Sequence, residues 1–67
     1  MDYIRGSIMD LVEECKSEPN IDRKIEILYA INSMLPKSQK LKIPSLITND
    51  YIYQALYKVE ELLLVSQ

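Results

Sequence analysis

Apolar residues recur in this chain at the three-to-four-residue spacing of α-helices, in three separate segments. The widest pattern covers Asn20 to Leu35, where one helical stripe consists of Ile21, Ile25, Leu28, Ile31 and Leu35. Three more residues extend this apolar surface sideways: Ile27, Ala30 and Met34. A helix that is apolar over more than half of its circumference must contact neighbours on two sides. The sequence therefore predicts a bundle with this segment as its central helix.

The first segment predicts a one-sided helix from about residue 2 to residue 18. Asp2 is suited to cap it, and Pro19 stops it before Asn20, which is suited to cap the central helix. One third of the circumference is apolar and consists of Ile4, Ile8, Leu11, Val12 and Cys15. Gly6 in its interior costs about 1 kcal/mol relative to Ala. It either weakens the first turns or permits close approach of another backbone.

The central helix is predicted over residues 20–35, since Pro36 disfavours helical geometry at the residue before it. The connection that follows, residues 36–47, exceeds the two to eight residues usual in helix bundles. Its alternation over residues 40–43 predicts an extended run with Leu41 and Ile43 packed on the bundle and the lysines outward. We expect Leu46 and Ile47 to close the open end of the bundle before a cap at Thr48.

The third helix is predicted over residues 49–65, with a contiguous apolar arc facing the core: Tyr51, Ile52, Ala55, Leu56, Val59, Leu62 and Leu63. A second line, formed by Tyr53, Tyr57 and Leu64, is separated from this arc by Glu60. Three large apolar groups on one helical line make a candidate contact strip for a partner. The alternative is that the long connection folds over them.

These patterns predict an all-α fold: a single helical domain over residues 1–67, built as a small three-helix bundle with a long Pro-bounded connection between helices 2 and 3. A chain of 67 residues buries only about 60% of the surface that its unfolded form exposes. Because so small a core is marginally stable, burial of a leftover apolar face against a second copy is favoured. We therefore expect a homodimer.

The charge pattern weighs against a dedicated nucleic-acid-binding protein, because the net charge is −2. Positive charge nevertheless collects in the connection, at Lys37, Lys40 and Lys42. These lysines are a possible contact for phosphates or for an acidic protein. No Arg or interleaved aromatic residue accompanies them, so the segment lacks the side chains that read or stack on bases. A nucleic-acid-associated factor using Lys37–Lys42 is the alternative to a protein-binding role.

The residue types needed for catalysis or cofactor binding are sparse. The chain has no His, so the commonest general base and the commonest neutral metal ligand are both absent, and its single Cys and single Gly leave no cysteine–histidine pair and no glycine-rich phosphate loop. Cys15 falls on an apolar face and is predicted to be core. No apolar run exceeds five residues, and charged residues occupy the N-terminus where a signal peptide needs an apolar region. We expect a cytoplasmic protein that is not an enzyme and has no cofactor and no membrane span.

The function expected from the sequence is that of a small interaction module or regulator acting through protein–protein contact and self-association. The predicted partner-binding residues are Tyr53, Tyr57 and Leu64. The sequence does not identify a further protein partner.

Overall fold

A computed structural model describes the backbone of residues 2–65 and the side chains of residues 6–65. Within these residues it contains three α-helices and no strand: α1 spans Asp2–Ser17, α2 spans Ile21–Met34 and α3 spans Asn49–Val65. A short 3₁₀ turn, Lys37–Gln39, lies in the connection between α2 and α3. The predicted all-α, three-helix fold is confirmed, with each helix end within one residue of its predicted position.

Local sequence signals set the helix ends. The Asn20 side chain accepts a hydrogen bond of 2.8 Å from the backbone N–H of Asp22, and the Thr48 hydroxyl accepts one of 3.1 Å from Tyr51. Both satisfy backbone donors that the first turn of a helix leaves unpaired. At the other end of α2, Leu35 is extended (φ −79°, ψ 148°), as a residue before proline prefers. The predicted cap at Asp2 lies outside the described side chains.

The core is built around α2, which contacts both α1 and α3. Leu28 and Ile31 have no exposed surface, as expected for the centre of the widest apolar face. Among the described residues, ten apolar side chains of the three helices and Leu35, which directly follows α2, form one buried cluster: Ile8, Val12, Cys15, Ile27, Leu28, Ile31, Leu35, Ile52, Ala55, Leu56 and Val59. The cluster therefore joins the three helices in a single core.

The apolar arc of α2 is narrower than the sequence predicts. Ile21 is more than one third exposed, and Ala30 is exposed. Ile21 begins α2 just after α1 has ended at Ser17, so fewer neighbouring side chains reach it. Ile25 and Met34 are only partly buried at the edges of the core.

The connection between α2 and α3 follows the bundle, as its alternating pattern predicts. Leu41 packs on the core and Ile43 is half-buried, while Lys40 and Lys42 are exposed. The prediction that Leu46 and Ile47 together close the end of the bundle is wrong for Leu46. Ile47 packs on the core, but Leu46 is 78% exposed. The backbone bends at Ser45 and Leu46, and beyond this bend only Ile47 packs on the bundle.

Leu28 should be indispensable to this core. Leu28→Ala leaves a cavity where all three helices meet, so we expect a loss of about 2–5 kcal/mol in the free energy of unfolding, measured by chemical denaturation. Leu64→Ala is the matched control and should change the value by under about 0.5 kcal/mol, because Leu64 is largely exposed. A loss below about 1 kcal/mol for Leu28→Ala would contradict its central position.

Substitution of Gly6 should stabilise the fold, in contrast to the loss expected at Leu28. A methyl group added at Gly6 would meet no atom within 4 Å, so no close backbone approach within the described chain requires glycine there. Gly6→Ala should raise the free energy of unfolding by about 0.5–1 kcal/mol, since alanine restricts the unfolded chain and favours helix. Thermal and chemical denaturation would show this gain. A destabilised variant would instead indicate that a second molecule approaches the chain at Gly6.

Candidate functional site

The three residues predicted as a contact strip are exposed on one side of α3. Tyr53 is 51% exposed, Tyr57 64% and Leu64 68%; we call these three residues the outer strip. The connection does not cover them, so that alternative is wrong. It contacts α3 at a different edge, where the Tyr51 hydroxyl donates a 2.6 Å hydrogen bond to the backbone carbonyl of Lys42. The outer strip is therefore an open apolar surface.

An ion pair lies along the edge of the outer strip, between the strip and the buried face of α3. Glu60 falls within roughly 60° of Tyr53, Tyr57 and Leu64 around the helix axis. Its carboxylate accepts a 3.0 Å hydrogen bond from Lys16 Nζ on α1. This bond raises the pKa of the Lys16 ammonium group. The Glu60 carboxylate is thus already neutralised inside the molecule.

A lysine that the apolar pattern did not assign to the core is buried beside the strip. Lys24 on α2 is only 8% exposed, and its Nζ donates a 3.1 Å hydrogen bond to the Tyr53 hydroxyl. The same ammonium group lies 4.9 Å from the centre of the Tyr53 ring, within the range of a cation–π contact. Lys24 precedes Leu28 by four residues and Ile31 by seven, which places it on the same helical line. That spacing is the feature of the sequence from which the burial of Lys24 could be predicted.

Cys15 lies in the core, as predicted, and has no exposed surface. Its thiol donates a weak hydrogen bond of 3.5 Å to the backbone carbonyl of Lys24. Burial raises the pKa of this thiol, which outweighs the opposing effect of the Lys24 charge. The environment of Cys15 therefore disfavours the reactive thiolate.

An open groove of about 510 Å³ lies between the connection and α3. It is lined by Lys40, Leu41, Lys42, Tyr51, Gln54, Ala55 and Lys58, and we call it the basic groove. Of the three lysines predicted as a basic contact, Lys40 and Lys42 line it and Lys37 does not. Lys58 joins them from α3. Sequence reasoning missed Lys58 and Gln54 because only the fold brings that stretch beside the connection.

Hydrogen bonds from two helices fix the wall of the basic groove. The Asn32 side chain on α2 accepts a 2.7 Å hydrogen bond from the backbone N–H of Leu41, and the Asn32 carbonyl accepts one of 2.9 Å from Lys40 Nζ. Tyr51 on α3 holds the carbonyl of Lys42. Burial, with a smaller contribution from Tyr29, raises the pKa of Tyr51. The wall is therefore held from both sides.

In the described part of the chain, no group of three or more His, Cys, Asp or Glu side chains is placed to hold a metal ion. None of the described helices is both long enough and apolar enough to cross a membrane.

Comparison of the chain with protein-family models, with curated proteins and with solved structures found no match in any of the three. The geometry of the outer strip and of the basic groove is therefore the basis for the functional proposals below.

The raised pKa of Tyr51 predicts a loss of stability at high pH. The folded protein holds the phenolic proton more tightly than the unfolded chain, so the contribution of Tyr51 to the free energy of unfolding should be constant below the ordinary tyrosine pKa of 10.0 and be lost as the pH rises above it. The buried Cys15 thiol, whose pKa is also raised, acts in the same direction from its ordinary pKa of 9.0 upward. Lys16, whose pKa is also raised, acts in the same direction at slightly higher pH. Denaturation between about pH 8 and 11 covers this range.

Tyr51→Phe isolates the contribution of this residue. The variant should lose about 1 kcal/mol at neutral pH, because the hydrogen bond to the Lys42 carbonyl is gone. Its free energy of unfolding should then fall less steeply above pH 10 than that of the parent protein. Equal slopes in the two proteins would show that Tyr51 does not titrate differently in the folded state.

Proposed function

We propose that this protein is a small, non-enzymatic interaction module that self-associates through the outer strip of α3. The observation that carries the proposal is the exposure of Tyr53, Tyr57 and Leu64 together on one face of a helix. Another face of α3 is already buried in the core, so Tyr57 and Leu64 contribute little to folding, whereas Tyr53 also contacts the buried Lys24. A second copy of the chain offers the same surface as a matching partner.

Two-fold symmetry gives a specific register for this contact. If two α3 helices pair antiparallel about an axis between residues 58 and 59, Tyr53 lies opposite Leu64, and Tyr57 lies opposite Glu60. The ring of Tyr57 then covers the Lys16–Glu60 ion pair of the other copy. Because that carboxylate already has a partner 3.0 Å away, it enters the interface without an unpaired charge. The apolar side chains meet on either side of it.

Tyrosine suits a surface that is wet in the monomer and buried in the dimer. Its ring supplies a large contact area, while its hydroxyl keeps a hydrogen bond in either state. The Tyr53 hydroxyl already accepts from Lys24, and hydrogen bonding to Glu61 raises the pKa of Tyr57. Both hydroxyl groups therefore have partners within the same molecule.

The expected affinity follows from the size of the surface. One helix face with three large side chains falls at the low end of specific interfaces, below about 1,200 Å² in total. Interfaces of this size support weak association, and we expect a dissociation constant on the order of tens of micromolar. The protein should thus exchange between monomer and dimer rather than form a permanent dimer.

Tyr57→Glu combined with Leu64→Glu should give a folded monomer. Both side chains are about two thirds exposed, and neither contacts the buried Lys24, so the helical circular dichroism signal should be retained. Four added carboxylates at a two-fold contact repel one another and cannot be desolvated cheaply. Sedimentation velocity from about ten to several hundred micromolar should show a rising mass for the parent and a constant mass for the variant.

Tyr29→Glu combined with Leu46→Glu is the matched control. It replaces the same two residue types, also exposed, but outside the outer strip. This control should dimerise like the parent protein. A parent that remains monomeric throughout, or a control that dissociates as readily as the strip variant, would contradict self-association through the outer strip.

A further inference from the structure

The described cationic side chains fall into two groups. Lys16 and Arg23 each lie within 4.0 Å of a carboxylate, on Glu60 and Glu26, and Lys24 contacts Tyr53. The remaining group, which has no described carboxylate within that distance, is Lys37, Lys40, Lys42 and Lys58. Three of these four line the basic groove. Uncompensated positive charge is therefore concentrated at one place in the fold.

No acidic residue among the described side chains lines the basic groove. Two of its lining residues belong to the apolar part of the fold, since Leu41 packs on the core and Ala55 is buried. The field of the lysines is therefore not cancelled by a carboxylate within the lining. Gln54 and the three lysines supply hydrogen-bond donors among the lining residues.

The lysines are also partly arranged before any ligand arrives. Lys40 Nζ is held by the Asn32 carbonyl and keeps further N–H donors free. The backbone on either side of it is fixed by hydrogen bonds from Leu41 to Asn32 and from Tyr51 to Lys42. A wall held in this way reduces the ordering that binding would require.

We propose that the basic groove binds a ligand with several linked phosphate groups, which Lys40, Lys42 and Lys58 contact through charge and Gln54 through a hydrogen bond. Three positive charges lining one groove match a multiply charged anion better than a single carboxylate. Lysine binds phosphate as a point charge, and no arginine among the described side chains lines the groove, so binding there would rest on charge and not on a bidentate fork. This binding is independent of the outer strip.

Linked phosphates occur in free polyphosphates and in the backbone of a nucleic-acid strand. Both present the same chemistry to the three lysines, but a strand would extend beyond the groove and a short polyphosphate would not. The two sources are therefore separated by comparing inorganic tripolyphosphate with a single-stranded oligothymidylate. Titration calorimetry measures the first and fluorescence anisotropy the second, both on the full chain at neutral pH and low salt.

Lys42→Gln combined with Lys58→Gln should weaken binding of the bound probe at least tenfold. The matched control, Arg23→Gln combined with Lys37→Gln, removes the same net charge outside the groove lining and should stay within about twofold of the parent for tripolyphosphate. Circular dichroism should be unchanged in both. If the oligothymidylate is the ligand, the slope of log affinity against log salt should fall by about 1.4 in the groove variant, as expected for two lost phosphate contacts.

Three results would overturn the proposal. The first is absence of binding by both probes at low salt. The second is an equal loss of binding in the groove variant and in its charge-matched control, since net charge alone would then explain the attraction. The third is a polyglutamate peptide of the same charge that binds more tightly than either probe, because the groove would then be a docking site for protein carboxylates.

Discussion

The structure depends on burying one face of α2 against two helices at once. Leu28 and Ile31 have no exposed surface, and the core residues of α1 and α3 pack around them. Once α1 and α3 occupy that face, the remaining surfaces of α3 differ in their surroundings. One edge receives the returning connection, held by Tyr51, and another carries the outer strip. Both candidate sites are thus consequences of how a small core is completed.

Lys24 connects the core to the outer strip, because it is buried on α2 and contacts Tyr53. Lys24 lies on the same helical line as Leu28 and Ile31, and its ammonium group contacts Tyr53. Long cationic side chains commonly bury their methylene groups and keep the charge near water. Tyr53 is therefore less available to a partner than Tyr57 and Leu64, since its hydroxyl and ring already contact the Lys24 ammonium group. Tyr57 and Leu64 are also the more exposed residues of the outer strip.

The sequence predicts the helices and the exposed strip because both follow from periodicity and local caps. Asn20, Thr48 and Pro36 act on their immediate neighbours, so their effects need no knowledge of the fold. The basic groove could be predicted only in part, since it joins Lys40 and Lys42 to a lysine on α3. Such a meeting depends on the path of the connection. The burial of Lys24 does not follow from its residue type, because lysine is almost never fully buried unless it is paired, as Lys24 is here with Tyr53.

The two connections between the helices differ in length, and this difference affects the order in which the helices pack during folding. α1 and α2 are separated by only three residues, 18–20, so their contacts are local and need little loop closure. Docking of α3 requires residues 35–48 to return along the bundle, and that ordering costs more chain entropy. We expect the α1–α2 hairpin to form the early part of the transition state and α3 to add last. Folding kinetics of core substitutions in α1 and in α3 would order the two events.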